Sequence, residues 1–236
     1  MRIVVLTGAG ISAESGVATF RDSGGLWEGH DVQKVATPEG FAADPDLVLR
    51  FYDERRAAVQ SVEPNAAHFA LARLEAELAG DLHIVTQNVD NLHERAGSKN
   101  VIHMHGELLS AWCTMCDERE PWSEALAHFP PCPSCTAPTL RPDIVWFGEV
   151  PYRMDEIEGL LREADLFVSI GTSGEVYPAA GFSAAASAFG AHTVELNLQA
   201  SRSGWFDDVR EGPATVVVPE WTKEILAKNS RKAWYE

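Results

Sequence analysis

The sequence lacks any uninterrupted apolar run of 18 or more residues, and this absence excludes a membrane-spanning helix. It is also poor in basic residues, with 19 Lys and Arg against 35 Asp and Glu, so its formal net charge is −16. A surface of this charge repels a polyanion, and we therefore expect no nucleic-acid partner. A strand-like segment begins at residue 2 and leaves no room for a signal peptide, so we expect a cytoplasmic location with reduced thiols.

Short apolar, β-branched runs alternate with segments of helical period, which predicts a doubly wound α/β fold with a Rossmann-like parallel sheet. The strand-like runs are RIVVLTG (2–8), LHIVTQN (82–88), VIHMHG (101–106), DIVWFGE (143–149), DLFVSIGTS (165–173), HTVELNL (192–198) and ATVVVP (214–219). Helices are expected over 45–62, 65–78, 154–164 and 179–190. In the second of these, the residues expected near one face are Phe69, Leu71, Leu74 and Leu78.

Two regions interrupt the alternation, and we expect them to form a smaller inserted lobe. Residues 22–63 contain a Gly-rich turn and a helix, whereas 107–142 contain all four cysteines and six of the 13 prolines. The predicted Rossmann-like lobe comprises approximately 1–28, 64–106 and 143–236. The predicted smaller lobe comprises a helical module at 29–63 and a cysteine-rich module at 107–142.

A glycine turn follows the first predicted strand. Gly8, Gly10 and Ala13 fit the G-x-G-x-x-G/A spacing, in which glycines let backbone N–H groups approach a pyrophosphate. A helix is expected to follow, and its N-terminal dipole would favour an anion. The signal is weak by itself, because an ordinary strand-to-helix turn also carries glycines. A hydride-transferring Rossmann domain places an acidic residue at the end of a second strand, and no strand leads into the acidic residues of 19–31, which disfavours a dehydrogenase.

The cysteines form two C-x-x-C pairs, CTMC (113–116) and CPSC (132–135), separated by fifteen residues. Two such pairs let four thiolates converge on Zn²⁺. Disulfides are disfavoured in a reducing compartment, and a redox C-x-x-C requires a thioredoxin-like context that the Pro-rich insert does not provide. We expect one structural zinc ion on Cys113, Cys116, Cys132 and Cys135, with no coordination position open for catalysis.

Polar residues follow two neighbouring predicted strands, in QNVDNLH (87–93) and HMHGEL (103–108). In an α/β sheet, side chains at the carboxyl ends of strands line the ligand crevice. Each segment alone is compatible with an ordinary loop. Together, and facing a glycine turn, they favour an active site.

At this point the chain resembles a known family. GAGISAESG, TFR, TQNVDNLH, HG, the two C-x-x-C pairs, RPDIVWFGE, GTS and ELNL occur in the order seen in sirtuins, the NAD-dependent protein-lysine deacylases. The resemblance covers about residues 2 to 227. It implies that NAD is consumed as an electrophile, with nicotinamide and O-acyl-ADP-ribose as products, and that the partner is an acylated lysine of a protein or peptide bound as an extended strand.

The resemblance also implies roles for individual residues. His105, directly before Gly106, matches the catalytic base, and the segment containing Val145, Phe147 and Gly148 matches the strand that pairs with the peptide. The positions that match the NAD site are Gly8, Ala9, Gly10, Phe20, Arg21, Gln87, Asn88, Asp90, Gly171, Thr172, Ser173, Asn197, Leu198 and Ala214.

Tyr52 and Arg55 indicate which acyl group is removed. They lie at i and i+3 in the predicted helix and match the Tyr-x-x-Arg pair of class III sirtuins, which remove succinyl and malonyl groups and often acetyl as well. A guanidinium can bind the distal carboxylate and a phenol can donate a further hydrogen bond. Without the family match, ordinary surface side chains would be the simpler interpretation. Three alternatives remain: a mono-ADP-ribosyltransferase, a nicotinamide-dependent dehydrogenase and a non-catalytic NAD or peptide sensor.

Overall fold

The structure is a computed structural model that describes residues 1–18, 26–27, 29–78, 81–201 and 204–232. In chain order its strands are β1 (Ile3–Thr7), β2 (Leu26–Trp27), β3 (His30–Asp31), β4 (Leu82–Thr86), β5 (Val101–His103), β6 (Gly106–Cys113), β7 (Arg119–Pro121), β8 (Leu140–Ile144), β9 (Leu166–Ile170), β10 (His192–Asn197) and β11 (Asp208–Glu211). Its α-helices are α1 (Val32–Val35), α2 (Pro38–Ala43), α3 (Pro45–Ser61), α4 (Ala66–Glu77), α5 (Leu92–Ala96), α6 (Met154–Glu163), α7 (Phe182–Ala188) and α8 (Ala214–Lys232).

Six strands form one parallel sheet in the order β11-β10-β9-β1-β4-β5, as the alternation of elements predicts. Ile3 and Val5 of β1 face one side of the sheet, and Val4 and Leu6 face the other, yet all four are buried. Helices cover both sides, which explains why β1 is a continuous apolar run. The strand order reverses at β1, so a crevice is expected at the carboxyl ends of β1 and β9.

The helices divide between the two sides of this sheet. On one side, α4 and α8 bury side chains that include Leu71, Leu74, Val218 and Trp221. On the other side, α6 and α7 bury side chains that include Ile157, Leu161 and Phe182. The result is a three-layer α/β arrangement in which the loops at the strand ends stay available for a ligand.

A second sheet, antiparallel and in the order β7-β6-β8, is built from the cysteine-rich region and its flanks. Helix α3 packs against it through Tyr52, which shares a buried cluster with Ile144 and Trp146. Asp44 caps this helix by accepting the Leu47 N–H at 2.9 Å.

Two polar residues of α3 bind the cysteine-rich insert directly. The Asp53 carboxylate accepts the backbone N–H groups of Leu126 at 2.8 Å and Ala127 at 2.9 Å. Arg56 is 1% exposed, and its Nε donates to the Leu108 carbonyl at 2.8 Å. Helix α3 and the insert are therefore joined by hydrogen bonds as well as by apolar contacts.

The predicted strand at 214–219 is wrong, because this segment begins helix α8. Its valines have high β-propensity, but Val217, Val218 and Trp221 recur at helical spacing and fill the cluster between α8 and the sheet. The edge strand is β11 instead. Its residues Asp208, Val209 and Glu211 are exposed, so it carries no apolar run that would reveal it.

Two further expectations need correction. Residues 143–149 do not add a strand to the parallel sheet, because β8 ends at Ile144 and pairs antiparallel with β6. Phe69 does not lie on the buried face of α4, since it is 52% exposed, whereas Leu71 and Leu74 are buried. No helix within the described ranges combines the length and the apolar character that crossing a lipid bilayer requires.

Candidate active site

The glycine turn lies where β1 and β9 end side by side. The Gly10 N–H donates to the Gly171 carbonyl at 2.9 Å, and a Cβ on Gly10 would lie 2.7 Å from the Gly171 Cα. The two loops therefore need glycine to approach each other. The turn continues into two short 3₁₀ turns, Ala9–Ile11 and Ala13–Ser15, rather than the expected α-helix. The turn is present as predicted, but the dipole of a long helix is not available there.

Asn88 and Asp90, which follow β4, are tied to this turn by a buried polar network. Asn88 Nδ2 donates to the Gly8 carbonyl at 3.2 Å and to Ser12 Oγ at 3.1 Å, and Ser12 Oγ donates to Asp90 Oδ2 at 3.0 Å. Burial raises the pKa of Asp90, which is 4% exposed. The network holds the loop after β4 against the loop after β1.

Two buried histidines extend this network. His68 Nε2 lies 3.5 Å from Ser12 Oγ, and His93 Nε2 lies 3.1 Å from Thr7 Oγ1. Burial lowers the pKa of His68 to about 4 and that of His93 well below its ordinary value, so both rings are neutral near pH 7. Ser12 and His93 fall within the motifs GAGIS and QNVDNLH, whereas His68 sits inside a helix with no local signal.

His105 is held in one tautomer. Its Nδ1 lies 3.2 Å from the Gln87 carbonyl, an acceptor, so Nδ1 carries the proton and Nε2 keeps its lone pair. Burial lowers the pKa of His105, although the hydrogen bond to Gln87 opposes that shift. The ring is therefore neutral near pH 7, with one nitrogen able to accept a proton.

The residue after His105 must be glycine. Gly106 has φ +84°, and a Cβ there would lie 2.0 Å from the Asp143 carbonyl oxygen. This close approach lets β6 start directly after His105 and pair with β8. The His105 carbonyl in turn accepts the Val145 N–H at 2.9 Å, so His105 is joined to the segment that was expected to bind the peptide.

The segment after β8 is an irregular loop, and most of its backbone N–H groups already donate hydrogen bonds to other groups of the protein. The Phe147 N–H donates to the Ala36 carbonyl at 2.9 Å, and the Glu149 N–H donates to the Trp146 carbonyl at 3.0 Å. Gly148 has φ +91° with open space around it, and its N–H makes no hydrogen bond within the described residues. The Phe147 side chain is 44% exposed.

A partly buried ion pair between Arg141 and Glu149, the two ends of the RPDIVWFGE motif, shapes this loop. Arg141 donates to both carboxylate oxygens of Glu149, at 2.8 and 3.0 Å, and its guanidinium stacks 3.4 Å from the centre of the Trp146 ring. Glu149 also accepts the Trp146 N–H at 2.8 Å. The loop is thus rigid without regular secondary structure.

Tyr52 and Arg55 share one face of α3, and both are buried. Trp146 Nε1 donates to the Tyr52 oxygen at 3.0 Å, which joins the pair to the loop after β8. Burial raises the pKa of Tyr52, so the phenol stays protonated. Arg55 Nη1 donates to the Phe51 carbonyl at 2.7 Å, and its guanidinium carbon lies 3.2 Å from the centre of the Phe51 ring.

The residues expected at the adenosine side follow β9 and β10. Asn197 Nδ2 donates to the Thr172 carbonyl at 2.8 Å and to Glu195 Oε1 at 3.2 Å. Leu198 is 61% exposed, and Ser173 is exposed as well. Ala214 is the first residue of α8 and its side chain is buried, so its expected contact with NAD stays a prediction.

The four cysteines form a separate cluster. All are free thiols, and their sulfur atoms lie within 4.8 Å of one another. The Cys113–Cys135 and Cys116–Cys132 sulfur distances are 3.6 and 3.8 Å. A tetrahedral Zn²⁺ with Zn–S bonds of about 2.3 Å separates its sulfurs by about 3.8 Å, so the thiols fit a structural zinc ion.

Hydrogen bonds therefore connect the glycine turn, the loop after β4, His105, the loop after β8 and Tyr52 into one continuous site. Phe20 and Arg21 lie outside the described residues, so their expected contact with the nicotinamide ribose stays a prediction.

Comparison with known proteins shows which family the chain is similar to. The model of the Sir2 family matches residues 8–178. The NAD-dependent protein deacylase of Vibrio parahaemolyticus is 57% identical over 233 residues, which are 97% of each chain. A Sir2 homologue solved in complex with NAD has a TM-score of 0.87 and 38% identity, covering 97% of this chain and 90% of that one. A Sir2 protein bound to acetylated peptide has a TM-score of 0.80 and 30% identity, covering 97% and 93%.

Proposed function

Because the chain belongs to the Sir2 family, we propose that it is an NAD-dependent protein-lysine deacylase that removes succinyl and malonyl groups, and acetyl groups as well. The observation that carries the proposal is His105, a neutral ring with its Nε2 lone pair available, hydrogen-bonded through its backbone to the loop after β8.

In this proposal NAD lies across the carboxyl ends of β1 and β9. Backbone groups of Gly8, Ala9 and Gly10 and the loop at 171–173 face its phosphates and adenosine side. Gln87, Asn88 and Asp90 surround the nicotinamide ribose, and the network through Ser12 holds Asn88 and Asp90 in place. Asn197, Leu198 and Ala214 complete the adenosine side.

The proposed reaction begins when the acyl oxygen of the substrate lysine attacks the ribose carbon that bears nicotinamide. Nicotinamide leaves and an alkylimidate forms. His105 Nε2 then accepts the proton of the ribose hydroxyl system, so that the 2′-OH can attack the imidate. With the entry of water, the products are free lysine, nicotinamide and O-acyl-ADP-ribose.

The acylated peptide is proposed to pair as an extended strand with the loop that contains Val145, Phe147 and Gly148. Gly148 supports this, because its N–H has no partner within the described residues and the space where a Cβ would lie is open. Tyr52 and Arg55 read the distal carboxylate of the acyl group. The burial of both residues and the hydrogen bond from Trp146 to Tyr52 favour a rigid pocket over a solvated surface pair.

We propose that the chain divides into the two lobes expected from the sequence, with the cleft between them. The cysteine-rich insert carries one structural zinc ion, supported by the sulfur spacing. A cytoplasmic location is proposed as well.

The decisive experiment incubates the protein with NAD and matched acetyl-, malonyl- and succinyl-lysine peptides and resolves the products by mass. Deacylated peptide with equimolar nicotinamide and O-acyl-ADP-ribose supports the proposal. Reduced NAD would indicate a dehydrogenase, and ADP-ribose attached to protein would indicate an ADP-ribosyltransferase. NAD left intact would indicate a sensor.

The base is tested with His105→Ala, which should lower turnover by roughly 10² or more with little change in fold. His128 is exposed on the insert, so His128→Ala is a matched control that should retain wild-type turnover. An active His105→Ala variant would contradict the assignment.

A further inference from the structure

His103 and His105 lie two residues apart, and both side chains contact the loop that follows β4. His103 Nδ1 lies 3.1 Å from the Asn88 carbonyl, and His105 Nδ1 lies 3.2 Å from the Gln87 carbonyl. The two rings thus bind consecutive carbonyls of the loop that follows β4. The sequence motif HMHG points to the second histidine only, and the proposed reaction gives the first one no role.

The surroundings of the two rings differ. His105 faces one acceptor, whereas His103 faces two, since its Nε2 lies 2.8 Å from Glu94 Oε1. A neutral imidazole has a single N–H and can satisfy one of these acceptors, but an imidazolium satisfies both. The side chain of His103 is 8% exposed, so water does not substitute readily for a lost partner.

The charges around His103 favour the imidazolium. Burial alone would lower the pKa of His103, but the hydrogen bond and charge of Glu94, with smaller contributions from Glu107 and the Asn88 carbonyl, raise it. The other titratable groups that interact with it are Asp90, whose pKa it lowers, and His93, which is neutral because it is fully buried.

We infer that His103 is a positioning residue: as an imidazolium paired with Glu94, it fixes the Asn88 carbonyl and thereby the loop that contacts NAD. The Asn88 side chain reaches the Gly8 carbonyl and Ser12, so a rotation of its peptide would disturb the glycine turn as well. This inference rests on the proposed function, because it assumes that the loop after β4 binds NAD.

Loss of one proton has a defined consequence. When His103 becomes neutral, the Glu94 carboxylate retains the Nε2–H, and the Nδ1 lone pair then faces the lone pairs of the Asn88 carbonyl. The carbonyl is released, and NAD affinity falls as the pH rises through the pKa of His103. In Glu94→Gln the amide can donate to Nε2, so a neutral ring keeps its proton on Nδ1 and still holds Asn88.

The test measures the Kd for NAD by calorimetry between pH 7 and 9.5 in the wild type, in Glu94→Gln and in Glu107→Gln. The wild type should lose about three- to tenfold in affinity over this range, the effect of one hydrogen bond. Glu94→Gln should stay flat, although it removes a charge from a side chain that is 40% exposed. Glu107→Gln removes an equal charge without a bond to His103, so it should keep the wild-type loss with its midpoint at slightly lower pH. Equal pH dependence in wild type and Glu94→Gln would overturn the inference.

A second readout does not depend on NAD. Ring ¹⁵N chemical shifts should show His103 doubly protonated at pH 7 in the wild type and protonated on Nδ1 alone in Glu94→Gln. A neutral His103 in the wild type at pH 7 would overturn the inference. If the protein neither binds NAD nor deacylates peptides, the proposed function fails, while these shifts still decide the state of His103.

Discussion

Replacing Arg55 by Met tests whether α3 reads the acyl group. Arg55 is 7% exposed, and the Phe51 carbonyl and ring fix the plane of its guanidinium before any substrate arrives. Such preorganisation means that little side-chain entropy is lost on binding. A charge-assisted hydrogen bond to the substrate carboxylate is worth about 1.5–3 kcal/mol, which corresponds to roughly 10- to 150-fold in specificity. The succinyl-to-acetyl ratio of kcat/KM should fall by that factor.

The same substitution also removes contacts within the helix. The lost cation–π contact and hydrogen bond together cost about 1–3 kcal/mol of stability, or a Tm roughly 2–10 °C lower. Kinetics at 25 °C on acetyl-, malonyl- and succinyl-lysine peptides separate this general effect from selectivity, because only the ratio reports the carboxylate. Arg50→Met, at an exposed position of the same helix, is the matched control and should leave the ratio unchanged. Equal losses on acetyl and succinyl peptides would show that Arg55 supports the helix only.

The remaining predictions concern the base, the turn after it and the metal. The acid limb of kcat/KM should lie below pH 6.5, because burial lowers the pKa of His105 and activity is lost only when the ring gains a proton; a limb above pH 7 in a pH–rate profile would contradict this. Gly106→Ala should destabilise the protein by about 3 kcal/mol or more in denaturant unfolding, because its Cβ would lie 2.0 Å from the Asp143 oxygen; a near-neutral change would refute the packing argument. Metal analysis should find about one zinc per chain, and its removal by a chelator should lower the Tm; a metal-free protein with an unchanged Tm would contradict a structural role.

The strands buried on both faces could be predicted from the sequence, because a continuous apolar run such as β1 reports its own burial. The segment at 214–219 shows the limit of that logic. Its valines have the composition of a strand, and only their contact with α4 and the sheet, which depends on distant residues, makes them helical. The exposed strand β11 carries no apolar signal and could be located only through its pairing with β10.

The candidate site also has parts that could be predicted from the sequence and parts that could not. The glycine turn and the cysteine pairs are local patterns, and their spacing alone predicts contacts that the structure contains. The link from Trp146 to Tyr52 joins residues 94 positions apart, and no local pattern predicts it. The protonation states of the two histidines in HMHG depend on carbonyls and a carboxylate contributed by other segments, so the motif alone does not distinguish them.

Two sets of residues on helix α3 have different roles, and this limits how the proposed acyl-group specificity can be transferred to another protein. Tyr52 and Arg55 are the proposed acyl-reading pair, whereas Asp53 and Arg56, each one position further along, bind the cysteine-rich insert. The hydrogen bonds of Asp53 and Arg56 to the cysteine-rich insert therefore fix the rotation of α3 about its axis. That rotation sets the direction of the Tyr52 and Arg55 side chains. The smallest exchangeable unit is the helix together with its metal-bearing partner. Grafting only the Tyr-x-x-Arg pair onto another scaffold would transfer the two residues without the contacts that orient their side chains.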